Sequence, residues 1–179
     1  MKIEHKNRIE IDIDSIDPDN GLTLQMEKPF GFFFNEEDGV NGVGAVTVDL
    51  ALTKAGDDIF VAGRAEGTVK LQCGRCLADY ELTLAPVIEA PFFQRAAESS
   101  EGEEEDDGEV NYHDGEKLDL FPLLHDHLFL AIPFKPLCME ECKGLCPKCG
   151  ADLNTAPCGC KQKEPDARLA ALQKLKERL

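Results

Sequence analysis

The chain opens on alternation. Arg8-Ile-Glu-Ile-Asp-Ile-Asp14 puts Ile9, Ile11 and Ile13 on one face and acids on the other, the period of a half-buried strand. Asp17-Pro-Asp-Asn-Gly21 then turns the backbone. Leu22–Met26, Val43–Leu52, Asp58–Gly63 and Gly67–Cys73 follow as short alternating segments separated by Gly, Asp and Asn, which predicts antiparallel strands. Alternation resumes at Tyr80–Ala85, so Cys73-Gly-Arg-Cys76 falls at a hairpin tip. The Phe32-Phe-Phe34 run reads as core or sheet-face packing rather than an exposed partner patch. Past Leu118 the period lengthens: Leu123, Leu124, Leu128 and Ile132 have helical spacing, with Asp119 as N-cap and Pro122 in the first turn. This helix is expected to pack on the sheet. Pro133 and Pro136 stop it, and a second helix is predicted from Pro165, with Asp166 as cap and Leu169, Leu172, Leu175 and Leu179 as its apolar stripe. The sum is an α+β fold: a mainly antiparallel β-sheet or barrel-like body with a packed helix, a Cys-rich segment and a C-terminal helix.

Composition divides this picture in two. The 179 residues are 42% hydrophobic, enough for one core with an appendage, and a β-rich body over 1–134 with a Cys-rich segment and helix over 135–179, docked on the body, is the expected organisation. Of the net charge of −16, residues 1–134 hold 10 Lys and Arg against 29 Asp and Glu, whereas residues 135–179 hold 9 against 6. Glu98 to Glu109 has eight acids, no base and no large apolar residue, so a mobile loop is expected over about 96–110. The N-terminus shows no secretory signal and no apolar run approaches the roughly 18 residues that cross a bilayer. A cytoplasmic protein with no membrane and no small-molecule substrate is the expectation.

A cytoplasmic setting keeps thiols reduced, which makes the eight cysteines metal ligands rather than a disulfide framework. Cys146-Pro-Lys-Cys149-Gly150 has the form of a zinc knuckle, in which a tight turn aims two thiolates at one ion and glycine accepts the positive φ that follows. Cys158-Gly-Cys160 would close that four-thiolate site. Cys73 and Cys76 would share a second ion with Cys138 and Cys142, clamping the tail to the sheet. One or two zinc ions are thus expected. Tetrahedral sulfur ligation also suits iron, although ferredoxin spacings do not match, so zinc is favoured and an iron–sulfur cluster stays open. A redox C-x-x-C would open a helix, and the β pattern on both sides of Cys73 argues against one. Arg75, Lys143, Lys148 and Lys161 stand near enough in sequence to offset thiolate charge. His125 and His127, two apart on a helix, point to different faces; they read as ordinary, partly exposed histidines rather than a joint metal site.

Cys73-Gly-Arg-Cys76-Leu, the acidic loop, Leu118-Asp-Leu, Ala131-Ile-Pro-Phe-Lys-Pro-Leu-Cys138, the string from Cys142 to Asn154, Cys158-Gly-Cys160 and Asp166-Ala-Arg-Leu-Ala-Ala-Leu together resemble the bacterial YceD family, from about residue 40 to the C-terminus. That family is named for accumulation of large-subunit ribosomal RNA. The resemblance implies a cytoplasmic role in 23S ribosomal RNA accumulation and large-subunit assembly. No His, Ser or carboxylate constellation with catalytic spacing is visible, so a non-enzymatic factor is expected, with a basic large-subunit ribosomal protein and/or 23S precursor RNA as partner. The charge division favours the protein for the acidic body. Any RNA contact belongs at the basic end, on Lys143, Lys148, Lys161, Arg168, Lys174 and Lys176. The alternative is a thiol redox or metal-transfer enzyme that uses the C-x-x-C pairs.

Overall fold

A computed structural model describes residues 7–34, 38–94 and 111–160. Of these, the residues up to Gly74 with Ala78–Cys138 form one compact unit, and Arg75–Leu77 with the residues from Met139 onward form a second. The acidic loop and the C-terminal helix expected from the sequence lie outside the described residues, as do Lys161, Arg168, Lys174 and Lys176.

The larger unit is a sheet with few helices, as the alternation predicts. Its strands are β1 (Glu10–Asp12), β2 (Leu22–Pro29), β3 (Asn41–Ala55), β4 (Asp58–Gln72), β5 (Asp79–Leu84), β6 (Val87–Gln94), β7 (Asn111–His113) and β8 (Lys117–Asp119). The main sheet runs β2-β3-β4-β6-β7, with β5 also on β4. Every pair is antiparallel except β6–β7, which is parallel.

Two expected segments, Asp58–Gly63 and Gly67–Cys73, are one 15-residue strand. The glycines between them are close-approach positions inside the strand rather than turns: a Cβ on Gly63 would collide with the Asp49 carbonyl oxygen, and one on Gly67 would stand 2.9 Å from Val46 Cγ2. The strand changes partner along its length. Ile59–Arg64 pairs with β6, and Gly67–Gln72 pairs with β5.

The N-terminal alternation is realised only briefly. Asp12 accepts a hydrogen bond from the Asp14 N–H and a 3-10 turn over Ile13–Ser15 ends β1, which pairs with β8 more than a hundred residues away. Asp119 joins this pair to the helix α2 (Phe121–Leu130): its Oδ1 accepts from the Ile9 N–H and the Phe121 N–H, both at 3.0 Å. The expected cap is therefore displaced by one residue. Leu120 occupies the N-cap position without a side-chain bond, Asp119 supplies the acceptor from just before it, and Pro122 sits in the first turn.

Val46, Val48, Leu50 and Leu52 of β3, Ile59 and Val61 of β4, and Ile88 and Phe92 of β6 form the buried face of the sheet, in one cluster with Leu123, Leu124 and Leu128 of α2. Each such side chain contributes about 1.5–3 kcal/mol by leaving water. The Phe run enters the same core as a single helical turn, α1 (Phe30–Phe33), with Phe30 and Phe34 stacked at 4.8 Å. His125 departs from expectation. It is buried, stacked against Phe121 and Phe129 of its own helix, with Phe34 of the aromatic run covering it at 5.3 Å and Nδ1 3.0 Å from Asp126 Oδ1. His127 is half-buried and bonds the Leu123 carbonyl. Among the described residues no helix is long and apolar enough to cross a membrane.

Candidate metal centres

Two C-x-x-C segments fold the same way. In Cys146-Pro-Lys-Cys149-Gly150 the Cys146 N–H donates to the Ala151 carbonyl at 2.8 Å, Leu145 and Asp152 bridge as an antiparallel pair, and Gly150 has φ of 73°. In Cys73-Gly-Arg-Cys76-Leu77 the Cys73 N–H donates to the Ala78 carbonyl at 2.9 Å, Gln72 pairs with Asp79, and Leu77 has φ of 61°. Each bond and each pairing has the same sequence offset from its cysteines. Leucine takes at one tip the left-handed conformation that glycine takes at the other, which puts strain on a side chain that ordinarily avoids it. Neither C-x-x-C opens a helix, so neither thiol pair has a helix N-terminus to lower its pKa in the manner of a thioredoxin.

The sulfurs of Cys146, Cys149, Cys158 and Cys160 all lie within 4.8 Å of one another, and so do those of Cys73, Cys76, Cys138 and Cys142. Zinc–thiolate bonds of about 2.3 Å in a tetrahedron put sulfurs about 3.8 Å apart, so both groups fit such an ion after small side-chain adjustments. All eight cysteines are absorbed and none is in a disulfide. Four thiolates would close the coordination sphere of such an ion, the form of a structural rather than a catalytic site.

The thiols of the first group hold charge unevenly. Backbone N–H groups of Cys149 and Lys148 point at the Cys146 sulfur, the latter at 3.5 Å, and lower its pKa to about 6. Cys160 is pushed up to about 12 by its hydrogen bond with the Cys149 thiol and by partial desolvation. Crowded sulfurs resist a second negative charge, and a divalent cation would remove that resistance.

In the second group Cys73 is fully buried and Cys142 is 2% exposed. Around Cys142 the sequence reading missed a residue. Asn154 Nδ2 donates to the Cys142 sulfur at 3.4 Å and to Asp152 Oδ1 at 2.8 Å, while its Oδ1 accepts from the Lys143 N–H at 2.7 Å. Its only sequence signal is position: an amide a few residues past a cysteine pair, able to donate to sulfur and accept from backbone at once. Arg75 donates from Nη1 to the Cys142 carbonyl at 2.8 Å, and its own carbonyl accepts from the Leu145 N–H at 3.1 Å. Gly144, at φ of 74°, packs so close to the Arg75 backbone that a Cβ would stand 2.9 Å from its carbonyl oxygen. Lys143 and Lys148 are exposed.

With this geometry in view, similarity to known proteins is specific. An uncharacterized protein of Mycobacterium tuberculosis is 30% identical over 125 residues, which is 70% of this chain and 59% of the relative. An uncharacterized protein of Mycobacterium leprae is 28% identical over 116 residues, 63% of this chain and 51% of that one. The large ribosomal RNA subunit accumulation protein YCED homolog 1, chloroplastic, of Arabidopsis thaliana is 35% identical over 63 residues, 35% of this chain and 20% of the plant protein. The chain thus spans under three-fifths of the length of the mycobacterial relatives it matches. No solved structure matches it significantly. The family described as large ribosomal RNA subunit accumulation protein YceD matches residues 61–176, a stretch that contains both C-x-x-C knuckles and all eight cysteines, and this chain belongs to that family.

Proposed function

We propose that this protein is a non-enzymatic, cytoplasmic factor in the accumulation of 23S ribosomal RNA and the assembly of the large ribosomal subunit. In this reading it holds two zinc ions on its eight cysteines and engages a basic large-subunit ribosomal protein through its acidic body. Any contact with precursor RNA falls to residues 135–179. The observation that carries the reading is the family match over residues 61–176, which takes in every proposed ligand. The charge division supports the choice of partner. A chain at −16 attracts basic proteins at long range and repels phosphate backbones everywhere except its basic end. Four thiolates per ion leave no open coordination position for a substrate, which fits a scaffold rather than a metal-transfer or hydrolytic enzyme.

Depletion in the native host, with 23S and 16S ribosomal RNA measured together, tests this function. A fall in 23S relative to 16S, restored by the wild-type gene, is expected. An unchanged ratio would remove the reading. Affinity capture at moderate salt, with RNA and protein both sequenced, should recover large-subunit proteins or precursors; turnover in an insulin-reduction assay would replace the scaffold with thiol redox chemistry.

A further inference from the structure

The main sheet buries one face in the core, and its other face carries an unusual surface. The register sets Phe60 of β4 beside Pro91 of β6, and Phe93 of β6 beside Tyr112 of β7. Phe60, Phe93 and Tyr112 are 43%, 39% and 49% exposed. Scattered apolar residues on a surface need no explanation, but three aromatic rings at adjacent strand positions on one outward face form a patch. Next to it Ala51 lies opposite Ala62, and Ala62 opposite Glu89, so the rings border a flat shelf of small side chains. Farther along the same face a shallow groove is lined by Gln25, Glu27, Thr47 and Asp49, and Thr47 lies opposite Glu66. Glu27, Asp49, Glu66 and Glu89 therefore stand on this face, against two bases of β4: Arg64, directly opposite Asp49, and the exposed Lys70 farther along the strand.

Aromatic rings and carboxylates side by side select a particular chemistry. Nucleobases stack on exposed rings, but four carboxylates would repel the phosphates between them. Lysine answers the carboxylates only as a point charge. The planar guanidinium of arginine does both: it lies over a ring face and bonds a carboxylate through two N–H groups. We propose that this outer sheet face docks an arginine-rich segment of a basic protein, laid across β3, β4 and β6 with guanidinium groups over Phe60 and Phe93 and against Asp49 and Glu89. The inference rests on the assembly-factor reading and names the chemistry by which its protein partner is recognised.

The test uses the full-length, zinc-loaded protein and three labelled probes: a 12-residue peptide of alternating arginine and alanine, its lysine counterpart, and a 12-nucleotide single-stranded RNA. The arginine peptide should bind severalfold more tightly than the lysine peptide. Phe60→Ser with Phe93→Ser, and separately Asp49→Lys with Glu89→Lys, should each weaken it by about tenfold or more, while zinc content and the thermal midpoint stay near wild type. If the serine pair does not fold, Phe60→Leu with Phe93→Leu keeps the bulk, removes the π faces and should still abolish the preference for arginine over lysine. Unchanged peptide affinity in folded variants would overturn the inference. So would binding lost only on deletion of Glu98 to Glu109, or RNA binding that depends on the two phenylalanines. Any of these leaves the assembly reading standing, because that reading is judged by 23S accumulation on depletion.

Discussion

Asn154 shows how much one amide can do beside a cysteine group. It donates to the Cys142 sulfur, is held by Asp152 and caps the Lys143 N–H. Asn154→Ala should leave both groups of four cysteines in place yet release one zinc faster. In a chelator competition followed by a metal-responsive dye, the affinity of one ion should fall about 10–100-fold while the other is unchanged. Elemental analysis of the wild type should approach two zinc per chain, and Cys149→Ser should lose one of them and destabilise the knuckle region, since metal binding there is also folding free energy. A surface carboxylate contributes to the dependence of stability on acid. The carboxylate of Asp17 accepts from the Asn20 N–H at 2.7 Å and the Asp19 N–H at 2.9 Å, which lowers its pKa. Its contribution is present above the ordinary carboxylate pKa and disappears as pH falls through the lowered folded value. Thermal midpoints of wild type and Asp17→Ala should therefore differ at neutral pH and converge below about pH 4.

At the scale of elements, β4 is the strand on which the sheet depends, since it pairs with β3 along most of its length and divides its other edge between β6 and β5. Within this pairing the backbone of β3 approaches Gly63 closely. Gly63→Val should cost about 1–3 kcal/mol or more by overpacking, seen as a lower urea midpoint with the slope retained. The two knuckles are the second repeated element. A sharp turn with a left-handed residue after its second cysteine occurs at the end of a long hairpin in one case and on a single bridge in the other. The hairpin holds its knuckle with many backbone bonds, whereas the bridge at Leu145 and Asp152 would leave more of the work to a bound metal.

For the whole molecule, charge sets the terms of association. Capture of a basic protein should be fast and should weaken steeply as salt rises, because the attraction is screened over about 8 Å at physiological ionic strength. Naked ribosomal RNA should bind weakly in a gel-shift or anisotropy titration, and charge reversal of Lys143, Lys148, Lys174 and Lys176 should remove what binding there is. Tight binding of bare RNA that ignores salt would contradict this picture.

The strand segments up to β5, the helix α2 and the cysteine pairs were legible in the amino-acid order, because alternation, helical spacing and C-x-x-C turns are local, whereas β6 and the three-residue strands β7 and β8 went unread. Both groups of four cysteines could also be proposed from their order along the chain, since two thiolates bind zinc poorly and the pairs left over are few. What alternation cannot report is the partner. A period of two says which side chains share a face and nothing about which strand lies alongside, so the pairing of Glu10 with Asp119, the parallel seating of β7 on β6 and the fusion of two segments into β4 emerged only when distant backbones met. Gly63 looked like punctuation because its role is set by the approach of Asp49 and Leu50 across the sheet. His125 looked partly exposed because its burial needs Phe34, far off in sequence, beside the Phe121 and Phe129 rings one turn away on its own helix. Sequence chose the local conformations and the cysteine pairs; long-range packing chose which faces meet, and so placed Phe60, Phe93 and the carboxylates of four strands on one open surface.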